Sequence, residues 1–284
     1  MYLGYNTNGF AHHRLDDALA ILADMGYEGV GLTVDHHALD PFAAGWRRKA
    51  ERVRGLLDRY RLKSVVETGA RFLLDPRRKH QPTLLSPSPE ERGVRLDFLS
   101  ACAELCRLLG SDALSFWSGT ATDAAPTEVL WERLTSECLT LVEKAPGVRL
   151  AFEPEPGMFI DTMVAFAELQ KRLPPSPLGL TLDLGHLHCQ GEPIAAIIHK
   201  WKDVIWNIHV EDMRRGVHDH LFFGDGEIDF PPVFTALTEI GYAGGVFVEL
   251  SRHSHDAVRT AERSLTFLRE ARNRSTIHPL PDAR

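Results

Sequence analysis

The chain has 284 residues, 44% of them hydrophobic and 25% charged, with a formal net charge of −7. This ordinary globular composition excludes a disordered chain, a collagen-like fibre and a coiled coil, and no apolar run approaches the roughly 20 residues that span a bilayer. An acidic chain is a poor default binder of polyanions, so neither nucleic acid nor membrane is an expected partner.

Along the chain, short β-branched or aliphatic runs alternate with amphipathic helical stretches. Residues 2–7 read as a strand. Leu15, Ala18, Leu19, Leu22 and Met25 follow at helical spacing, with Asp16 and Asp17 in the first turn and Gly26 as the stop. A second strand is expected over 29–34 and a second helix over 45–60. The third strand, 62–68, leads into a long segment rich in prolines and charges, 71–91. Helix, strand and helix follow at 92–109, 113–118 and 127–144. The fifth strand falls at 148–153 with a helix over 161–173, and the sixth at 178–183 with a short helix near 193–199. Strands at 204–210 and 245–250 flank a helix over 231–240, and a last helix covers 256–272. The tail beyond 272, with Pro279 and Pro281, is expected to fray or to pack outside.

Eight strands and eight helices in strict alternation are what parallel pairing through crossover helices requires. Runs such as LGLTLD and VFVEL are apolar throughout, as strands buried on both faces are. The pattern predicts the α/β class and a single (β/α)₈ barrel over residues 1–272 rather than an open doubly wound sheet. No Gly-x-Gly-x-x-Gly follows the first strand, which also disfavours a dinucleotide-binding sheet. The junctions Met25-Gly-Tyr-Glu-Gly-Val and Ile240-Gly-Tyr-Ala-Gly-Gly look alike, but helix-stop glycines before strands are common. Cys102 and Cys106, four apart, read as small buried hydrophobes before a metal or redox pair, and with Cys138 and Cys189 they suggest no disulfide framework. The first residues lack a basic-then-apolar leader, so a reducing cytoplasm is the expected compartment.

In such a barrel, chemistry collects at the C-terminal ends of the strands. The third strand ends in Glu67, the fourth in Trp117-Ser118 and the fifth in Glu153-Pro-Glu155. The sixth ends in Asp183-Leu-Gly-His186-Leu-His188, the seventh in His209-Val-Glu211-Asp212 and the eighth in Glu249. Burying a bare carboxylate is costly, so each must be paired, protonated or metal-bound. Singly, each reads as a strand-end residue in a salt bridge. In register, Glu153, Asp183, His209 and Glu249 form a ring of three carboxylates and an imidazole, suited to Mn²⁺, Mg²⁺, Co²⁺ or Zn²⁺. Glutamates on the fifth and eighth strands can remove a proton α to a carbonyl from one face and return it to the other.

These segments together resemble the xylose isomerase-like TIM-barrel superfamily, which includes sugar isomerases and epimerases, inosose dehydratases and endonuclease IV. The resemblance runs from the first strand to about residue 272. It rests on Glu153, Leu182-Asp183-Leu-Gly-His186, His209-Val-Glu-Asp212, the segment from His220 through Gly224-Asp-Gly226, and Val248-Glu249. Similarity to the ketose 3-epimerases implies one divalent metal ion on Glu153, Asp183, His209 and Glu249, with Glu153 and Glu249 as the acid/base pair. It also implies that His186 binds substrate and that Arg215, or the adjacent Arg214, holds substrate oxygens. The implied activity is that of a metal-dependent isomerase or epimerase of a small polyhydroxylated carbonyl compound: a sugar, sugar phosphate or related polyol ketone.

Alternatives on the same residues are an inosose- or dehydroshikimate-type dehydratase, with His186 or His218 assisting departure of a β-hydroxyl, a multi-zinc phosphoesterase, and a non-catalytic sugar-binding barrel. In endonuclease IV an Asp-x-His pair joins a histidine after the sixth strand to hold a further zinc. Here His218-Asp-His220 and His186 stand at the matching places, so they read either as a second zinc site or as substrate contacts. Endonuclease IV has histidines where this chain has Glu67 and Trp117, which argues against DNA cleavage. Trp117 reads as a stacking wall or as rim core, and Glu67 as a substrate contact or a partner of Arg71. Glu155 and His188 read as substrate contacts or as residues orienting a ligand. Segment 71–91 reads as a lid or binding loop whose Arg77-Arg78-Lys79-His80 run either holds an anionic group or is solvated surface. His12-His13 and His36-His37 read as solvent-facing loops. Barrels of this group often associate, so a homo-oligomer is compatible with the resemblance.

Overall fold

A computed structural model describes residues 1–69, 71–175 and 177–277. Among them, ten strands occur: β1 (Tyr2–Asn6), β2 (Gly29–Thr33), β3 (Lys63–Glu67), β4 (Leu114–Phe116), β5 (Leu150–Phe152), β6 (Gly179–Asp183), β7 (Ile205–Val210), β8 (Asp212–Arg214), β9 (Val217–Leu221) and β10 (Gly245–Val248). Eight of them close into a parallel barrel in the order β1-β10-β7-β6-β5-β4-β3-β2, while β8 and β9 form a separate antiparallel hairpin. The helices are α1 (Leu15–Met25), α2 (Trp46–Tyr60), α3 (Pro89–Leu109), α4 (Thr127–Lys144), α5 (Met163–Arg172), α6 (Leu184–Cys189), α7 (Ile194–Trp201), α8 (Phe230–Glu239) and α9 (Ala257–Ile277).

The expected (β/α)₈ barrel is therefore present, with two departures from strict alternation. The first is α6, which starts directly where β6 ends because the Asp183 carboxylate accepts from the His186 backbone N–H at 2.8 Å and caps the turn. The second is the β8–β9 hairpin, with Arg214 opposite Val217 and Gly216 at a φ of 72° in its turn. Other boundaries move for local reasons. Ser88 caps α3 by accepting from Glu91 N–H, and Pro89 at the first position sets the helix going ahead of residue 92. Helix α9 runs on to Ile277, while Pro279 and Pro281 lie outside the described residues. No described helix is long and apolar enough to cross a membrane.

Outward-facing strand residues pack on the helices, with Leu19, Phe98, Cys102, Phe166 and Phe234 fully buried between the layers. Each such large side chain contributes about 2 kcal/mol by leaving water. Inward-facing residues follow the strand period of two. At the N-terminal end, Tyr2, Val65, Ala113, Ala151 and Phe247 form a separate apolar cluster with Trp206 against it. Two residues further along the same strands come Glu67, Ser115, Glu153 and Glu249, and these line a cavity at the opposite end. Alternation thus stacks an apolar floor under a polar mouth. Parallel register then sets Asp183 beside His209, and Phe247 beside His209 on the other flank.

Candidate active site

The four ring residues meet as expected. One donor atom from each of Glu153, Asp183, His209 and Glu249 lies within 4.8 Å of the others. His209 Nδ1 stands 3.1 Å from Glu153 Oε1, 3.0 Å from Glu249 Oε2 and 3.8 Å from Asp183 Oδ2. On its other edge, His209 Nε2 is 2.9 Å from Glu67 Oε1, which also accepts from the Asn207 amide at 3.0 Å. A proton on Nε2 satisfies Glu67, so that the Nδ1 lone pair can face a cation when one is bound. Glu67 thus has His209 and Asn207 as partners rather than Arg71. Asn8, from the turn after β1, donates to Glu249 Oε1 at 3.0 Å.

The electrostatics are those of crowded carboxylates. Burial pushes the Glu153 carboxyl up to about 8, against the pull of His209 and with added repulsion from Glu249 and Asp183. Burial opposes charge on His209 as well, but Glu67, Glu153 and Glu249 together raise its pKa well above the imidazole range. At Glu249 burial again disfavours the anion, yet His209, His220 and His186 hold the carboxyl well below its usual value. Asp183 is 2% exposed and its Oδ2 has no hydrogen-bond partner. A buried carboxylate oxygen left unpaired beside two further carboxylates and an imidazole fits a divalent cation. The donor set, three oxygens and one nitrogen, suits the Mn²⁺, Mg²⁺, Co²⁺ or Zn²⁺ expected from the sequence.

A second cluster adjoins the first. His186, His218 and His220 bring their donor atoms within 4.8 Å of one another. His186 Nε2 is 3.1 Å from His218 Nε2, which is 3.4 Å from His220 Nε2. The far nitrogens of two rings donate to carbonyls: His186 Nδ1 to Pro154 O at 3.3 Å and His220 Nδ1 to Glu249 O at 3.2 Å. Burial lowers the His186 pKa to about 4, and burial with His220 nearby lowers that of His218. The three imidazoles therefore converge on one point, where their nitrogens can meet a cation or a substrate hydroxyl.

Both clusters open into one cavity of about 510 Å³, lined also by Asn8, Trp117, Glu155 and His80. The scan against protein families matches residues 19–271 to the xylose isomerase-like TIM barrel. The chain belongs to that family. An inosose dehydratase of Lacticaseibacillus casei is 31% identical over 142 residues, covering 43% of this chain and 48% of the relative. The chain thus matches about half the length of that curated relative. A solved L-ribulose 3-epimerase superposes with a TM-score of 0.78 at 19% identity, covering 100% of this chain and 99% of the other. An IolI protein with a bound zinc atom gives a TM-score of 0.75 at 18% identity, covering 94% and 98%. At such identities the two structures speak for the fold.

Within this xylose isomerase-like barrel, the remaining sequence candidates divide. Trp117 and Glu155 line the cavity; His188 and Arg215 are not among its lining residues. His188 Nε2 lies 3.4 Å from Glu227 Oε2, and Arg215 sits exposed on the hairpin turn with its N–H donated to the same carboxylate. Arg214 donates to Asp225 O. The cations at the cavity are instead Arg71, Lys79 and Arg252, the last paired with Asp219 of β9. Asn8 and Asn207 are further residues that sequence reasoning passed over. Asn207 had a signal, since it lies two residues before His209 and so faces the same way. Of the outlying histidines, His36 and His37 are exposed as expected, with His36 Nδ1 2.8 Å from Asp35. All four cysteines are buried and free.

Proposed function

We propose that this barrel is a divalent-metal-dependent isomerase or epimerase of a small polyhydroxylated ketone. The observation that carries the reading is the placement of two carboxylates from separated strands, Glu153 and Glu249, within 3.1 Å of one imidazole nitrogen. Strands β6 and β7 lie between theirs, so the two carboxylates approach the space above the ring from different sides. One takes the proton from the carbon next to the carbonyl; the other delivers a proton to the opposite face, which inverts the centre. Return by the same residue to the neighbouring carbon would give isomerisation instead. Asn8 fixes one oxygen of Glu249 and leaves the other for the proton. Trp117 offers a flat wall to the carbon skeleton, and Glu155 and His186 offer hydrogen-bond partners to its hydroxyls. A cation held by Glu153, Asp183, His209 and Glu249 would supply electrophilic stabilisation of the carbonyl oxygen.

The test is a panel of ketoses and inososes in deuterium oxide, with protein reconstituted with Mn²⁺, Co²⁺ or Zn²⁺. Glu249→Gln should slow both epimer formation and uptake of solvent deuterium by about 10²-fold or more. Undiminished exchange in that variant would remove Glu249 from the acid/base role. A dehydratase is the second reading, favoured by His186 and His218 beside the same cavity, either of which can assist departure of a hydroxyl. It predicts a new ultraviolet enone band in place of an epimer. Metal content separates the readings of the three-histidine cluster. We assign it a second zinc if more than one equivalent binds and the excess is lost in His218→Ala; one equivalent in both proteins leaves it to substrate. Two or more equivalents would also bring phosphoester hydrolysis into the panel.

A further inference from the structure

Cations line the cavity as well as carboxylates. Between β3 and α3 the chain crosses the mouth, and from this crossing Arg71 and Lys79 line the same cavity as Glu153, Glu155 and Glu249, making a basic stretch of its wall. Of the other charges of the crossing, Arg78 is neutralised, while the exposed Arg77 does not line the cavity. Asp75 accepts from the backbone N–H groups of Arg77 and Arg78 and pairs with the Arg78 side chain, which also reaches Glu91 at 2.9 Å. Among the described residues, neither Arg71 nor Lys79 has an ion-pair partner within 4.0 Å. In a chain of net charge −7, carboxylates are plentiful, yet these two cations at the cavity edge stand outside any ion pair, Lys79 acting only at longer range on the buried Glu155 carboxyl.

Behind them the wall is reinforced. Arg95 of α3 is 3% exposed, and its guanidinium lies 5.1 Å from the Trp117 ring centroid. It donates to Pro82 O at 2.8 Å and to His80 O at 2.7 Å, and it too lacks a carboxylate partner among the described residues. Those bonds pin the crossing, and a third unneutralised charge adds its field to the same side of the cavity. His80 Nδ1 donates to Gly69 O at 2.9 Å and its ring meets Trp117 edge-on. The segment that carries Lys79 is thereby held in place at both ends.

We infer that the substrate carries an anionic substituent, a phosphate or a carboxylate, at the end remote from the reacting carbon, and that Arg71 and Lys79 bind it. This rests on the proton-transfer reading, which sets one end of the substrate at Glu153 and Glu249 and is silent on charge at the other. A cavity of about 510 Å³ accommodates a sugar-sized ketone with such a group. Charge-assisted hydrogen bonds from guanidinium and ammonium are about twice as strong as neutral ones, enough to select for charge.

Binding of non-reacting polyols tests it without turnover. Sorbitol, sorbitol 6-phosphate and gluconate are titrated calorimetrically into the Mn²⁺-loaded protein, its Arg71→Gln/Lys79→Gln variant and an Arg77→Gln control. One anionic polyol should bind at least about ten-fold tighter than sorbitol, and the double variant should lose most of that preference while the control keeps it. Whichever anion binds tighter identifies phosphate or carboxylate. Equal affinities, or a preference that survives the double variant, overturn the inference. Should the double variant fail to fold, Lys79→Gln alone carries the comparison. The preference without any ketose turnover would sink the proton-transfer reading and keep the anion site; epimerisation of neutral ketoses without the preference would do the reverse.

Discussion

At His209 two demands meet, since with a cation bound its Nδ1 must offer a lone pair while its Nε2 needs an acceptor. Glu67 supplies that acceptor, and Asn207 holds Glu67 in place. Glu67→Gln can turn its amide nitrogen toward Nε2 and favour the wrong tautomer. Metal affinity should then fall about 10- to 100-fold by calorimetric titration with Mn²⁺ or Zn²⁺, and unchanged affinity would show that the pairing is incidental. The same group governs a pH dependence. The folded chain holds the Glu153 proton up to about pH 8, whereas its ordinary value is 4.5. Stability of the metal-free protein therefore falls as pH rises through that window, because the unfolded chain binds fewer protons there. His209, raised above its ordinary value, acts in the same sense at the upper end, while the contribution of depressed Glu249 is already complete above about pH 5. Metal-free protein should melt at lower temperature at pH 8.5 than at pH 6. The gain in Tm from Mn²⁺ should be larger at pH 8.5, since binding must displace those protons. A flat melting profile would contradict this account.

The β8–β9 hairpin shows how one side chain can build an element. Asp212 is 2% exposed and accepts from the backbone N–H groups of Met213, Gly224, Gly226 and Ile228 at 2.8–3.1 Å. Asp212→Ala strands buried donors and should cost about 3 kcal/mol in urea unfolding, with early amide exchange over residues 212–228. A loss below about 0.5 kcal/mol would mean the loop is held by other contacts. Neither this hairpin nor α6 was legible in the sequence. Val217-His-Asp-His-Leu reads as a polar loop because its alternate residues face a site rather than an apolar core. Leu184–Cys189 is too short to show a helical period. In hindsight the period of two does place His218 and His220 on one face.

The barrel itself was plain from the alternation of elements, and so were the four ring residues, because polar groups at the ends of apolar strands stand out. Contacts made only when the barrel closes were not. Asn8 meets Glu249 across 241 positions of sequence, and Glu67 meets His209 across 142, through a register that no local pattern encodes. Arg215 is the residue that the resemblance to ketose 3-epimerases puts on substrate, but here it is exposed in the turn with Gly216, outside the cavity lining. The apolar cluster of Tyr2, Val65, Ala113, Ala151 and Phe247 has one more consequence. It fills the barrel beneath the carboxylates with packed apolar side chains, so the cavity described above is the site's way to solvent. When a ligand fills the mouth, a proton taken by one carboxylate stays there until the ligand leaves, and the other delivers one it gained from water beforehand. Epimer formed in deuterium oxide should therefore carry deuterium from its first turnovers, and product that keeps its original hydrogen would show one carboxylate making both transfers.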